Sequence, residues 1–208
     1  MIDMHDLLCY HNDVQMRLMI LRTTLLSSLL LTASQGPTFV NNVQTPSTVE
    51  IEVVEKTWKC EDCTPEEKYV LAQLQERTKI RDRNALATIM GNIKQESNFH
   101  SNICEGGARV PYSDCHRGGY GLIQWTTEKR YLGLGSFCKK YNCDPSSLEG
   151  QTRYMINENQ FQGLLPEFEG RGYTVDQYMV PAFYWLGWGI EGNRKYYSYN
   201  YSKKLVWA

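Results

Sequence analysis

The sequence lacks an excess of charge of either sign. Its 208 residues carry 22 Lys and Arg against 23 Asp and Glu, a formal net charge of −1. That balance does not suggest nucleic acid as a partner, nor a cationic protein drawn to an anionic cell wall by bulk attraction. Metal-ligand spacing is also missing. The pair Cys60 and Cys63 has no second Cys-x-x-Cys to complete a zinc site, and no histidine pair is suitably spaced to do so. No βαβ pattern surrounds it for a thioredoxin-like fold. His100 and His116 lack a third ligand and read as surface residues, so no metal and no cofactor is expected. The glycines Gly118, Gly119 and Gly121 are followed by no Gly-Lys-Ser/Thr, which excludes a phosphate loop. The longest leucine-rich run, within Thr23–Ala33, is too short for a comfortable membrane span.

That run does have the three parts of a secretory leader. Arg17 and Arg22 precede it, Leu25, Leu26, Leu29, Leu30 and Leu31 fill it, and Thr32, Ala33 and Ser34 follow. Residues 1–35 are therefore read as a leader, with translation starting at Met16. The competing readings are a buried amphipathic helix and an uncleaved anchor, the latter the only route by which a membrane becomes a partner. Residues 36–59 read as a linker, rich in Gly, Pro and Asn at their start, with an alternating stretch Val49–Val53 that is either a short strand or extended chain. Residues 60–208 are long enough for one domain with a sizeable core.

The seven cysteines fit this division. Removing the leader removes Cys9 and leaves six, an even set suited to an oxidising compartment. Six cysteines allow fifteen pairings. Local ones are the economical choice: Cys60–Cys63, Cys104–Cys115 and Cys138–Cys143.

Helical signals dominate the domain. Thr64, Pro65 and Glu67 form a capping box with proline at the first helical position. Leu86, Ile89, Met90 and Ile93 share one face of a second helix, with Asp82 as N-cap. Further helices are expected across Thr127–Lys140, after Asp144–Glu149 through Ile156, and around the aromatic run Phe183–Trp188, with Gly170–Gly172 as a break.

Glu96 ends the stripe of the second helix. It follows Ile93 by three positions and Ile89 by seven, so it lies on or beside the buried face, near the negative end of the helix dipole. Desolvation and that dipole both raise a carboxyl pKa. A carboxylic acid still protonated near neutral pH can cleave a glycosidic bond, because the leaving oxygen is too weak a base to depart unprotonated. On this pattern alone a solvated surface glutamate is the commoner outcome.

The surrounding residues reverse that weighting. Met90-Gly91-Asn92-Ile93-Lys94-Gln95-Glu96-Ser97-Asn98-Phe99, followed by Gly119-Tyr120-Gly121-Leu122-Ile123-Gln124-Trp125-Thr126, resembles the phage tail lysozyme family. More distantly, the chain is similar to goose-type lysozymes and soluble lytic transglycosylases, which share a Glu-Ser at a helix end and a later Gly-Leu-x-Gln. The resemblance covers Thr64 to Tyr197. It implies a mainly α, lysozyme-like helical domain with at most a small β-hairpin beside the cleft. It also implies cleavage of the β-1,4 bond between N-acetylmuramic acid and N-acetylglucosamine, with Glu96 as general acid.

Ser97, Tyr120, Gly121, Gln124, Trp125, Tyr184 and Trp188 are the substrate-binding candidates. Gln124 would bond sugar or orient Glu96, and Tyr184 would hydrogen-bond near it. The Tyr-Glu-Arg-Pro-like element of relatives is replaced here by Trp188-Gly189-Ile190-Glu191, which removes the basis for assigning that element a role. A second carboxylate would come from Asp114 or Glu105, with Asp114 preferred because Cys115 would fix it. Should neither face the cleft, attack by the sugar's own C6 hydroxyl would give 1,6-anhydro products. The expected partners are peptidoglycan glycan strands and other virion tail proteins, in an exported protein or a phage virion. The rivals are a non-catalytic glycan-binding or virion component and a thiol oxidoreductase centred on Cys60 and Cys63.

Overall fold

The computed structural model describes residues 56–116 and 118–208. The expected leader and the Val49–Val53 strand lie outside them. The elements in order are β1 (Trp58–Lys59), α1 (Pro65–Arg77), α2 (Arg83–Ser97), a 3-10 turn (Tyr112–Asp114), α3 (Glu128–Tyr141), α4 (Leu148–Asn157), α5 (Asn159–Phe168), α6 (Val175–Leu186), α7 (Arg194–Lys204) and β2 (Val206–Trp207). The fold is mainly helical, with one two-stranded antiparallel sheet among the described residues.

α1 starts where its capping chemistry dictates. The Glu67 N–H donates to the Thr64 hydroxyl at 3.3 Å, and the Thr64 N–H donates to Glu67 Oε2 at 2.9 Å. Such a cap stabilises a helix start by about 1 kcal/mol. α2 is capped by Asp82, whose Oδ1 accepts the Asn84 N–H at 2.8 Å. Ala85, Leu86, Ile89, Met90 and Ile93 are fully buried. Each large apolar side chain withdrawn from water contributes roughly 1.5–3 kcal/mol, which makes α2 the axis of the core.

α7 packs against α2 through a polar stripe. Arg194, Ser198 and Tyr201 are its buried residues. The two helices meet at Gly91, where an added Cβ would lie 2.4 Å from the Ser198 backbone nitrogen. Only hydrogen fits at that crossing.

The ends of the domain are joined. Trp58 pairs with Trp207 and Lys59 with Val206, and the Thr57 N–H donates to the Ala208 carbonyl at 2.9 Å. Trp58 and Lys59, within the stretch read as linker, thus belong to the folded body. The three local disulfides form as expected: Cys60–Cys63, Cys104–Cys115 and Cys138–Cys143. Beside the groove the β structure amounts to two antiparallel bridges, Ile103 with Arg109 and Cys104 with Tyr120. Among the described residues no helix is long and apolar enough to cross a membrane, and no group of three acidic, His or Cys side chains could hold a metal.

Candidate active site

Glu96 occupies the last turn of α2. The chain then reverses through Asn98 at φ 51° and Phe99 at φ 64°, both left-handed. For a bulky residue such as Phe99 that conformation costs about 1–3 kcal/mol, and it persists because the ring is buried. Ser97 ties this end to the glycine turn: its hydroxyl donates to the Leu122 carbonyl at 2.7 Å.

The turn is fixed from beneath by Gln151, a residue that the sequence reading passed over. Gln151 Oε1 accepts the Leu122 N–H at 2.7 Å, while its Nε2 donates to the carbonyls of Ser101 at 2.6 Å and Pro145 at 2.7 Å. Gly121 sits directly above it at φ 72°, and an added Cβ would come within 2.3 Å of Gln151 Oε1. A side chain is excluded there both by the backbone angle and by space.

Between this turn and the α6–α7 connection lies a groove of about 470 Å³. Ile123, Gln124 and Thr126 form one wall, Leu186 through Ile190 the other, and Glu96 with Arg194 the floor. A larger cavity of about 640 Å³, lined by Trp58, Lys68 and Arg81 among others, lies against β1 and α1 and shares no residue with it. The smaller groove is the better candidate because it alone contains Glu96, the acid whose surroundings favour the protonated form.

The Glu96 side chain is 14% exposed and makes an ion pair with Arg194. Burial pushes its carboxyl above the ordinary glutamate value; the Arg194 hydrogen bond and charge, and the more distant charge of Arg130, pull it back without cancelling the rise. Arg194 is itself anchored. Its Nη1 donates to the carbonyls of Ile190 and Glu191, each at 2.9 Å, and the guanidinium carbon lies 4.7 Å from the Trp188 ring centre. The sequence offered no signal for Arg194, which is 98 positions from Glu96.

The other candidate residues divide. Trp188, Gln124 and Glu96 share the groove. The Gln124 amide nitrogen donates to the carbonyls of Gly121 at 3.0 Å and Ile103 at 3.3 Å, bracing the turn. Ser97, Tyr120 and Trp125 are buried behind the wall, with Trp125 Nε1 donating to Glu158 at 3.2 Å and the Tyr120 hydroxyl to the Val110 carbonyl at 3.1 Å. A sugar cannot stack on rings so enclosed, and none of the three lines the groove. Tyr184 is 61% exposed and packs edge-on against Phe183, outside the groove lining.

Neither expected second carboxylate lines the groove. Glu105 Oε2 accepts the Gly119 N–H at 2.9 Å, and Asp114 accepts the Ser113 hydroxyl at 2.8 Å. Both are held by the loop that the Cys104–Cys115 bridge closes.

No curated protein and no solved structure matches the chain. A family model described as phage tail lysozyme matches residues 67–183, the stretch that builds α2, the glycine turn and most of α6, and with more than half of its length matched the chain belongs to the phage tail lysozyme family of glycan-degrading enzymes.

Proposed function

We propose that this protein cleaves the β-1,4 bond between N-acetylmuramic acid and N-acetylglucosamine, with Glu96 as general acid. The observation that carries the reading is a single poorly hydrated carboxyl at the floor of an open groove, on the segment matched to the family. Glu96 gives its proton to the glycosidic oxygen as the bond from that oxygen to the muramic C1 breaks. The Glu96 carboxylate so formed then takes a proton from the group that attacks C1. General acid catalysis of this kind contributes roughly 100- to 10,000-fold.

One observation favours a particular second step. Among the described residues Glu96 is the only carboxylate lining the groove, whereas hydrolytic glycosidases commonly use two. Attack by the muramic C6 hydroxyl, whose proton returns to Glu96, needs one carboxylate and yields a 1,6-anhydro end. Attack by water would give a reducing end. The three disulfides suit action outside the cytoplasm or from a virion.

Digestion of purified peptidoglycan followed by mass spectrometry tests both parts. Glu96→Gln should lower product formation at least about 100-fold while retaining wall binding, and wild-type products should carry anhydro ends. Undiminished clearing by Glu96→Gln would remove Glu96 from the mechanism and leave a glycan-binding protein with this fold.

A further inference from the structure

We propose that Arg194 is the positioning residue of the acid: it holds one oxygen of Glu96 so that the other delivers the proton. The inference rests on the reading of Glu96 as general acid. Arg194 lies beyond the matched residues 67–183, so the segment that carries the acid does not carry its partner.

The geometry assigns the two Glu96 oxygens different tasks. Oε1 accepts from Arg194 Nη2, whereas Oε2 makes no hydrogen bond among the described residues and is not buried. The proton therefore resides on Oε2, the oxygen left open for a substrate. Arg194 cannot follow Glu96 if the carboxyl turns. It is 6% exposed, its Nη1 is bonded to two carbonyls of the α6–α7 connection, and its plane is covered by Trp188. The helix that bears it is seated on α2 at the Gly91 crossing, on the same helix as Glu96.

A fixed cation also suits the chemistry. Burial raises the Glu96 carboxyl and so favours the protonated acid before transfer, and the guanidinium stabilises the carboxylate afterwards. The charged groups acting on Glu96 are Arg194 from α7 and Arg130 from α3, and Arg130 is already paired with both oxygens of Glu158. Arg194 is the cation bonded to the acid.

The test is the pH dependence of cleavage by Arg194→Met and Arg194→Lys. Because the protonated acid is the active form, the rate falls as pH rises through the Glu96 pKa. Removing the cation raises that pKa, so the alkaline limb of Arg194→Met should move up by about one pH unit, with the maximal rate reduced about tenfold or more. Arg194→Lys keeps the charge without the fork. Its limb should return toward the wild-type position while its maximal rate stays below wild type. A merely structural arginine would lower the melting temperature and leave the limb where it was. A folded Arg194→Met with an unmoved limb overturns the proposal. Should Arg194→Met not fold, Arg194→Lys decides, and a wild-type maximal rate in that variant overturns the proposal equally. If Glu96→Gln is inactive and these limbs do not move, this inference alone fails. If Glu96→Gln is fully active, the reading beneath it fails as well.

Discussion

Glu67 and Glu96 are both withdrawn from water beside a cation, and their surroundings drive them in opposite directions. Glu67, at the junction of α1, α2 and α7, accepts from Lys94 Nζ at 2.8 Å, the Tyr201 hydroxyl at 2.5 Å and the Thr64 N–H at 2.9 Å. Burial pushes its carboxyl up, but hydrogen bonds from Lys94, Tyr201 and Thr64 together outweigh it and hold the carboxyl below the ordinary value. Glu96 is paired with Arg194 through one oxygen, and burial wins. A carboxylate with both oxygens bonded anchors helices. One with an oxygen left open holds its proton to a higher pH.

Breaking the anchor should have the largest effect on stability. Glu67→Ala leaves the Tyr201 hydroxyl and Lys94 without their acceptor and should cost about 3 kcal/mol, read as a drop in the denaturant midpoint. Cleavage per folded molecule should remain near wild type, because the groove is untouched. The reverse outcome, a stable protein with lost activity, would merge the two sites into one. Next is Gly91→Ala, which forces the α2–α7 crossing apart against backbone atoms and should cost roughly 2–3 kcal/mol. Unlike Glu67→Ala it should also reduce cleavage, since Arg194 moves with α7.

Opening the Cys104–Cys115 bridge by a double serine substitution should cost about 2 kcal/mol. Its effect on the maximal rate should exceed that of opening Cys138–Cys143, which lies at the far end of α3. Ser97→Ala strands the buried Leu122 carbonyl and should cost about 1 kcal/mol, with cleavage falling more than stability as the acid loses its register to the turn.

The pH dependence of stability sharpens the contrast with the smallest perturbation. Glu67 has a lowered folded pKa, so its contribution is present above the unfolded value of 4.5 and is lost as pH falls through the folded pKa. Glu96 has a raised folded pKa. Its contribution is present below 4.5 and is lost as pH rises through the folded value, so near neutrality it opposes folding. Melting temperature against pH should therefore lose part of its acid limb in a Glu67 variant and part of its decline above pH 4.5 in Glu96→Gln.

Much of this arrangement could be read from the chain, for definite reasons. The Thr64 box and the Asp82 cap are local hydrogen-bond chemistry, and the α2 stripe is an apolar period. Both survive without tertiary knowledge. The three disulfides join neighbours in sequence and so leave a local trace. α7 left none, because its buried face is Arg194, Ser198 and Tyr201, which register no hydrophobic period. The partner of Glu96 was hidden with it. Trp125 and Tyr120 were substrate-binding candidates, Trp125 as readily a core residue as a stacking platform. Whether such a ring faces a ligand or the core depends on distant elements: here Glu158 from the α4–α5 junction captures the Trp125 N–H. Gln151 was missed for the same reason, since a mid-helix glutamine has no pattern that announces a buried organiser.

The pairing of Thr57 with Ala208 brings the two ends of the folded body together at one corner. A short peptide could splice them, and the chain could then be opened elsewhere, for instance at the exposed Gly106–Gly107 turn, with every helix kept in place. Anything fused to either end would leave from this same corner, so a carrier or surface attached there would hold the enzyme by one side only.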